Sequence, residues 1–111
     1  MKPIDRHKII IVGAGPAGLS TALYLAQQSP QLAAETLLIE AKTHPRPKLC
    51  GGGVTFHGEE QLEQLGLQID APAFVVDRIV FRLGKQEFDV TQPNAMRVFE
   101  RAAFDAALAE A

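Results

Sequence analysis

The 111-residue chain contains a single cysteine, Cys50, and no tryptophan. One thiol excludes an internal disulfide framework and any CxxC metal site. The three histidines, His7, His44 and His57, fall on tails and loops without ligand spacing, which argues for surface positions over a metal centre. Charge of one sign is also scarce. The formal net charge is −2, too small to point to nucleic acid or an anionic membrane as partner. No apolar run is long enough to span a bilayer. The polar lead from Met1 to Lys8 does not have the layout of a signal or transit peptide. Repeats and low-complexity tracts are missing. With 47% hydrophobic residues, the composition is that of an ordinary globular protein, expected in a reducing cytoplasm.

What is present is strongly patterned. Lys8-Ile9-Ile10-Ile11-Val12 is short, continuous and β-branched, the pattern of a buried parallel strand. Glycines follow, then a helix from Pro16 to about Gln28 with Leu19, Ala22, Leu23 and Ala26 at helical spacing. Pro16 suits a first helical position, and Ser29-Pro30 closes the helix. Thr36-Leu37-Leu38-Ile39 reads as a second strand ending in Glu40. Residues 1–42 thus form a βαβ unit with the usual right-handed crossover. Residues 43–70 read as a loop with Pro45, Pro47 and three successive glycines, then a short helix over about Gly58 to Leu65 stopped by Gly66. Alternation from Val75 to Leu83, the turn signal Gly84-Lys85, and Phe88 with Val90 predict an antiparallel hairpin over 71–92, with Phe74, Phe81 and Phe88 as its core. A final helix is predicted over 96–111, starting by Val98, with Phe104 and Leu108 in the core.

The chemistry concentrates in Gly13-Ala14-Gly15-Pro16-Ala17-Gly18. Gly13 permits a sharp turn out of the strand, and Gly15 leaves room for phosphates to approach the backbone. Gly18, with Ala14, Ala17 and Ala22 nearby, lets the helix pack closely on the strand. The helix start then aims free N–H groups and the positive dipole end at an anion. Glu40, about 20 residues past the last glycine, stands where an acid accepts ribose hydroxyls and repels a 2′-phosphate. The motif follows a strand, opens a helix and is answered by an acid, which is the context that gives it meaning. The bland alternative is a structural turn without ligand. These residues by themselves leave FAD and NAD open, since both carry ADP.

GAGPAG after KIIIV, together with LLIEAK, resembles the amino-terminal part of FAD-dependent oxidoreductases of the glutathione-reductase-like superfamily. Pro45-Arg46-Pro47-Lys48-Leu49-Cys50-Gly51-Gly52-Gly53-Val54 is similar to the PRxKxCGGG segment of the geranylgeranyl reductase family, relatives of the aromatic-ring hydroxylases. Val98-Phe99-Glu100-Arg101-Ala102-Ala103-Phe104-Asp105-Ala106-Ala107-Leu108 resembles their vvxRxxFDxxL segment. The resemblance implies an α/β fold: a Rossmann-like βαβ FAD-binding unit with an added antiparallel hairpin, an incomplete form of the three-layer FAD/NAD(P)-binding fold. It also implies roles. Gly13, Gly15, Pro16, Ala17 and Gly18 would cradle the pyrophosphate, Glu40 the adenosine ribose, with Ala41 and Lys42 flanking the adenosine. Arg46 and Lys48 would contact phosphate or flavin, the bland alternative being a solvated loop. Lys48, Cys50 and Gly51 would lie along the flavin and its ribityl chain, and Arg101 would reach the cofactor. Cys50 has two readings, a reactive thiol lowered in pKa by Arg46 and Lys48 or an inert loop cysteine.

In such enzymes the flavin reduces isoprenoid double bonds or activates oxygen, with NAD(P)H as a possible electron donor and an isoprenoid or aromatic small molecule as substrate. The stretch from Gln27 to Glu35 is longer than in many relatives. The GD-containing strand of the family is absent from this sequence, as is most of a substrate domain. The expectation is therefore a fragment, inactive alone, with apolar faces uncovered. No catalytic acid–base pair stands out. Two other readings remain: an NAD-dependent dehydrogenase domain, which the proline/glycine loop and hairpin disfavour, and a non-catalytic remnant.

Overall fold

The computed structural model describes residues 6–111; most of the polar lead, residues 1–5, lies outside them. Strand β1 (Ile9–Val12) leads through the glycine loop into helix α1 (Pro16–Gln28), a short helix α2 (Pro30–Ala34) and strand β2 (Thr36–Ile39). β1 and β2 pair in parallel, Ile9 beside Thr36 through Val12 beside Ile39. The Ser29-Pro30 stop is visible: Ser29 closes α1 and its hydroxyl accepts the Leu32 amide at the start of α2.

The continuous apolar strands predict burial on both faces, but the sheet is covered on one. Ile9 and Ile11 are half-buried on the α1 side, while Ile10, Val12, Leu37 and Ile39 are 58, 81, 36 and 45% exposed. Among the described residues, no helix packs on that second face.

The remaining elements are β3 (Gly53–Thr55), α3 (Phe56–Gln64), β4 (Ala73–Leu83), β5 (Gln86–Phe99) and α4 (Arg101–Ala109). They form an antiparallel sheet of order β3-β5-β4. Three sequence expectations change here. The hairpin runs to Phe99 rather than residue 92, its extended end pairing with β3 in the presumed loop. Residues 96–99, expected in the last helix, belong to β5, because Met96 to Val98 pair with both β3 and β4 and Phe99 pairs with Ala73. The hairpin phenylalanines are the third change. Phe74, Phe81 and Phe88 are 72, 49 and 63% exposed. Phe81 and Phe88 stack on each other across the strands, but the arm projects from the body and no described residue covers that face.

The core lies at the base of the arm. Ala14, Leu19, Phe99, Phe104 and Leu108 are buried together, with Leu23, Leu38, Val54 and Leu62 packed around them. Phe104 and Leu108 sit there as their i, i+4 spacing requires. α4 is thereby set against the start of α1, which places Arg101 and Asp105 beside the glycine loop.

Candidate functional site

The loop after β1 turns as the glycines dictate. Gly13 has φ +108°, a conformation L side chains rarely adopt, and its N–H donates to the Ile39 carbonyl at 2.7 Å. Gly18 lies so close to β1 that a Cβ there would fall inside contact distance of the Gly13 carbonyl oxygen. Gly15 is different. Its backbone is ordinary, and a Cβ there would meet only the guanidinium ends of Arg46 and Arg101, at 3.6 and 3.9 Å. Among the described residues, no side chain caps α1 at this end, and no acid stands in its first turn. The start of the helix therefore offers unpaired amides and the positive end of its dipole to an incoming anion.

Glu40 turns toward this loop. Its Oε2 accepts the Ala14 N–H at 2.6 Å and its Oε1 accepts Arg46 Nε at 3.2 Å. The Ala14 amide, then the Arg46 charge, hold its pKa below the ordinary carboxylate value against partial desolvation. Ala14 and Arg46 take two of roughly four lone-pair sites on the carboxylate and the Lys42 amide also acts on it, which still leaves capacity for sugar hydroxyls. Since folding lowers this pKa, the stability Glu40 contributes is complete above the unfolded value, near pH 4.5. It is lost as pH falls through the folded value. Urea unfolding midpoints followed downward from pH 6 should therefore drop more steeply in the wild type than in Glu40→Gln. Parallel profiles would mean that the Ala14–Glu40 bond is not made in solution.

Arg46, expected as a phosphate or flavin contact or else as part of a solvated loop, is buried. Its side chain bridges Glu40 and Asp105, the latter at 3.1 Å from Nη1. Arg101 opens α4 and forks onto the same Asp105, with Nε–Oδ1 at 2.9 Å and Nη2–Oδ2 at 3.0 Å. Glu40, Arg46, Asp105 and Arg101 thus form one alternating ionic chain under the loop. A desolvated charge needs such a partner, and here each has one.

A cleft of about 430 Å³ gathers most of the sequence candidates: Gly13, Gly15, Pro16, Ala17, Gly18, Glu40, Ala41, Lys42, Arg46, Lys48 and Arg101, with Val12 and Pro47. Lys42 and Lys48 are exposed at its rim. Three candidates do not line it. Ala14 is buried in the core. Gly51 is exposed. Cys50 lines a neighbouring, mostly apolar cavity of about 290 Å³ with Tyr24, Val54, Leu62, Phe104 and Leu108, which touches the cleft through Pro16 and Arg101. The Cys50 thiol is held below its ordinary pKa, first by the Gly52 amide and then by the Arg101 guanidinium. Arg46 and Lys48, the expected causes, are not among them.

Two contributors escape a reading of the sequence. Asp105 is fully buried and carries both arginines; the sequence assigns it no role by itself, and its signals are its place one turn after Arg101 and in the FDxxL part of the family-like segment. His44, expected on the surface, is half-buried. Its Nε2 lies 2.9 Å from the Ala14 carbonyl oxygen, so as an N–H donor it steadies the glycine loop from behind. His7 and His57 are exposed, and no cluster of metal-ligating side chains occurs among the described residues. Nor is any described helix long and apolar enough to cross a membrane.

Known proteins resemble this chain over part of its length. The model of the Thi4 family matches residues 1–80, a span that includes the glycine loop, Glu40, Arg46 and Cys50. The chain is 40% identical over 63 residues to the menaquinone reductase of Mycobacterium tuberculosis, covering 57% of this chain and 14% of that protein. It is 34% identical over 62 residues to the menaquinone reductase of Mycolicibacterium smegmatis, covering 56% and 14%. To the flavin-dependent oxygenase ucdD of Aspergillus ustus it is 35% identical over 63 residues, covering 57% and 10%. In each case the match spans a small part of the relative's length.

Proposed function

This chain belongs to the Thi4 family, and from that premise we propose that it is the nucleotide-holding front of a flavin-dependent oxidoreductase, with the ADP half of FAD in the cleft over Gly15. The observation that carries the reading is the cradle itself. A space that one methyl group would begin to fill lies at an uncapped helix start, flanked by the guanidinium ends of Arg46 and Arg101. Diphosphate is the chemical group that such a place suits, because it needs close backbone approach and dispersed positive charge. On this reading, backbone amides around Gly15 to Gly18 bind the phosphates and Glu40 accepts the ribose hydroxyls. Ala41 and Lys42 flank the adenosine. Lys48, Cys50 and Gly51 lie toward the flavin end.

When bound, the flavin would supply the electron or hydride transfer, while the protein positions it. The finer reading is geranylgeranyl reductase-like: reduction of an isoprenoid double bond, with a nicotinamide donor in the longer protein. It rests on the PRPKLCGGGV segment and agrees with the reductases among the relatives. A second reading, flavin-dependent oxygenation, is favoured by the Aspergillus ustus relative. On either reading residues 1–111 are the amino-terminal part of an FAD-binding domain.

Titration of the purified chain with FAD, ADP, NADH and NADPH separates these readings from a dehydrogenase domain. FAD and ADP are expected to bind, and NADPH to bind most weakly because its 2′-phosphate would face the Glu40 carboxylate. A folded chain indifferent to FAD and ADP would contradict the proposal.

A further inference from the structure

Asp105 is 0% exposed, and its carboxylate joins two arginines from distant parts of the chain. Arg101 reaches it from one helical turn away and matches both of its oxygens with a two-pronged contact. Arg46, 59 residues away, donates to Oδ2. Both arginines end at the same spot. Arg46 Nη2 and Arg101 Nη2 are the two nearest groups to the position a Gly15 side chain would take. Each Nη2 carries two N–H bonds; Arg101 Nη2 donates one to Asp105, and the same guanidinium also faces the Cys50 thiol.

We propose that Asp105 is a positioning residue that makes the cleft selective for a diphosphate, by holding both guanidinium groups over Gly15 where each meets a phosphoryl group. This rests on the reading that an ADP-bearing cofactor occupies the cleft. Electrostatics alone argues the other way. Glu40, Arg46, Asp105 and Arg101 sum to zero charge, and a carboxylate beside an anion site repels the anion. Without Asp105 the cleft would be more positive, but Arg101 would lose its carboxylate partner and Arg46 would keep only Glu40, so these long, rotamer-rich side chains could leave the spot. The carboxylate trades raw attraction for placement, as pre-organised sites do. The two accounts predict opposite signs for the same variant, which makes them separable.

Adenosine, AMP and ADP are titrated calorimetrically into the full chain and into Asp105→Asn. The wild type should favour ADP over adenosine. In the variant, ADP affinity should fall by about tenfold, the scale of a charge-assisted hydrogen bond, with adenosine unchanged. Retained or improved ADP affinity would overturn the inference. So would an equal loss for all three ligands, which is what a merely structural role produces. If Asp105→Asn does not fold by thermal unfolding, Arg101→Lys decides. It keeps the charge but cannot span both oxygens, so the ratio of ADP to adenosine affinity should fall; an unchanged ratio would overturn the inference. A wild type that binds none of the three defeats the cofactor reading and this inference with it. A wild type and variants that discriminate equally defeat only the inference.

Discussion

Gly15→Val is expected to give a folded protein that no longer binds FAD or ADP. Gly15 has φ −83° and ψ −176°, extended backbone open to any residue. A Cβ there makes only ordinary contacts with two arginine ends, so the unfolding midpoint should stay near that of the wild type. The two γ-methyl groups, however, extend into the space assigned to phosphate and push the Arg46 and Arg101 ends apart. Both the close backbone approach and the guanidinium contacts are lost at once. Affinity should drop by about a hundredfold or more, about 2.8 kcal/mol at 1.4 kcal/mol per tenfold. Equilibrium titration beside a melting curve checks both halves. Retained affinity would mean the ligand lies elsewhere.

Gly18→Ala, a smaller change three residues on, should do the reverse and damage the fold. At an exposed helix interior, Gly→Ala stabilises by up to about 1 kcal/mol. Here the added carbon would collide with the Gly13 carbonyl oxygen and press on Ile11 Cγ2 at 3.3 Å. Neither the backbone oxygen nor the strand behind it gives way cheaply, so α1 must lift off β1. Overpacking of this kind costs about 1–3 kcal/mol, a fall in melting temperature of about 5–15 °C for a chain of this size. Weaker cofactor binding should follow as a consequence, since the start of α1 moves with the helix. A melting temperature at or above that of the wild type would show that the helix and strand are not in the contact described.

These two glycines show why the first forty residues were legible in sequence. A strand, a turn, a helix and a second strand each carry local signals: β-branched residues, positive-φ glycine, Pro16 at a helix start, Ser29-Pro30 at its end. Glu40 follows from its place at the end of the second strand. Further along, the outcome depends on distant partners. β3 is three residues long and exists because β5 lies beside it. Val98 and Phe99 adjoin a helical run, but as β-branched and aromatic residues they suit a strand, and pairing with Gly53, Phe74 and Ala73 holds them in the sheet. Alternation in the hairpin predicted a face without saying what covers it, and Phe74, Phe81 and Phe88 remain exposed. The ionic chain has the same character. Arg46 and Asp105 are far apart in sequence, and no spacing rule joins them. Only the packing of α4 against the start of α1 makes them neighbours, and it also brings Arg101 to Cys50, whose lowered pKa comes first from the local Gly52 amide and then from Arg101 rather than from Arg46 and Lys48.

Amide chemical shifts recorded while ADP is added to the labelled chain test the central claim at the level of single residues. A bare turn presenting its amides to a diphosphate predicts the largest shifts at Gly15, Ala17, Gly18 and Glu40, with the Arg46 and Arg101 side-chain signals moving alongside. Saturable shifts confined to the projecting hairpin or to α3, or none at millimolar ADP, would contradict it.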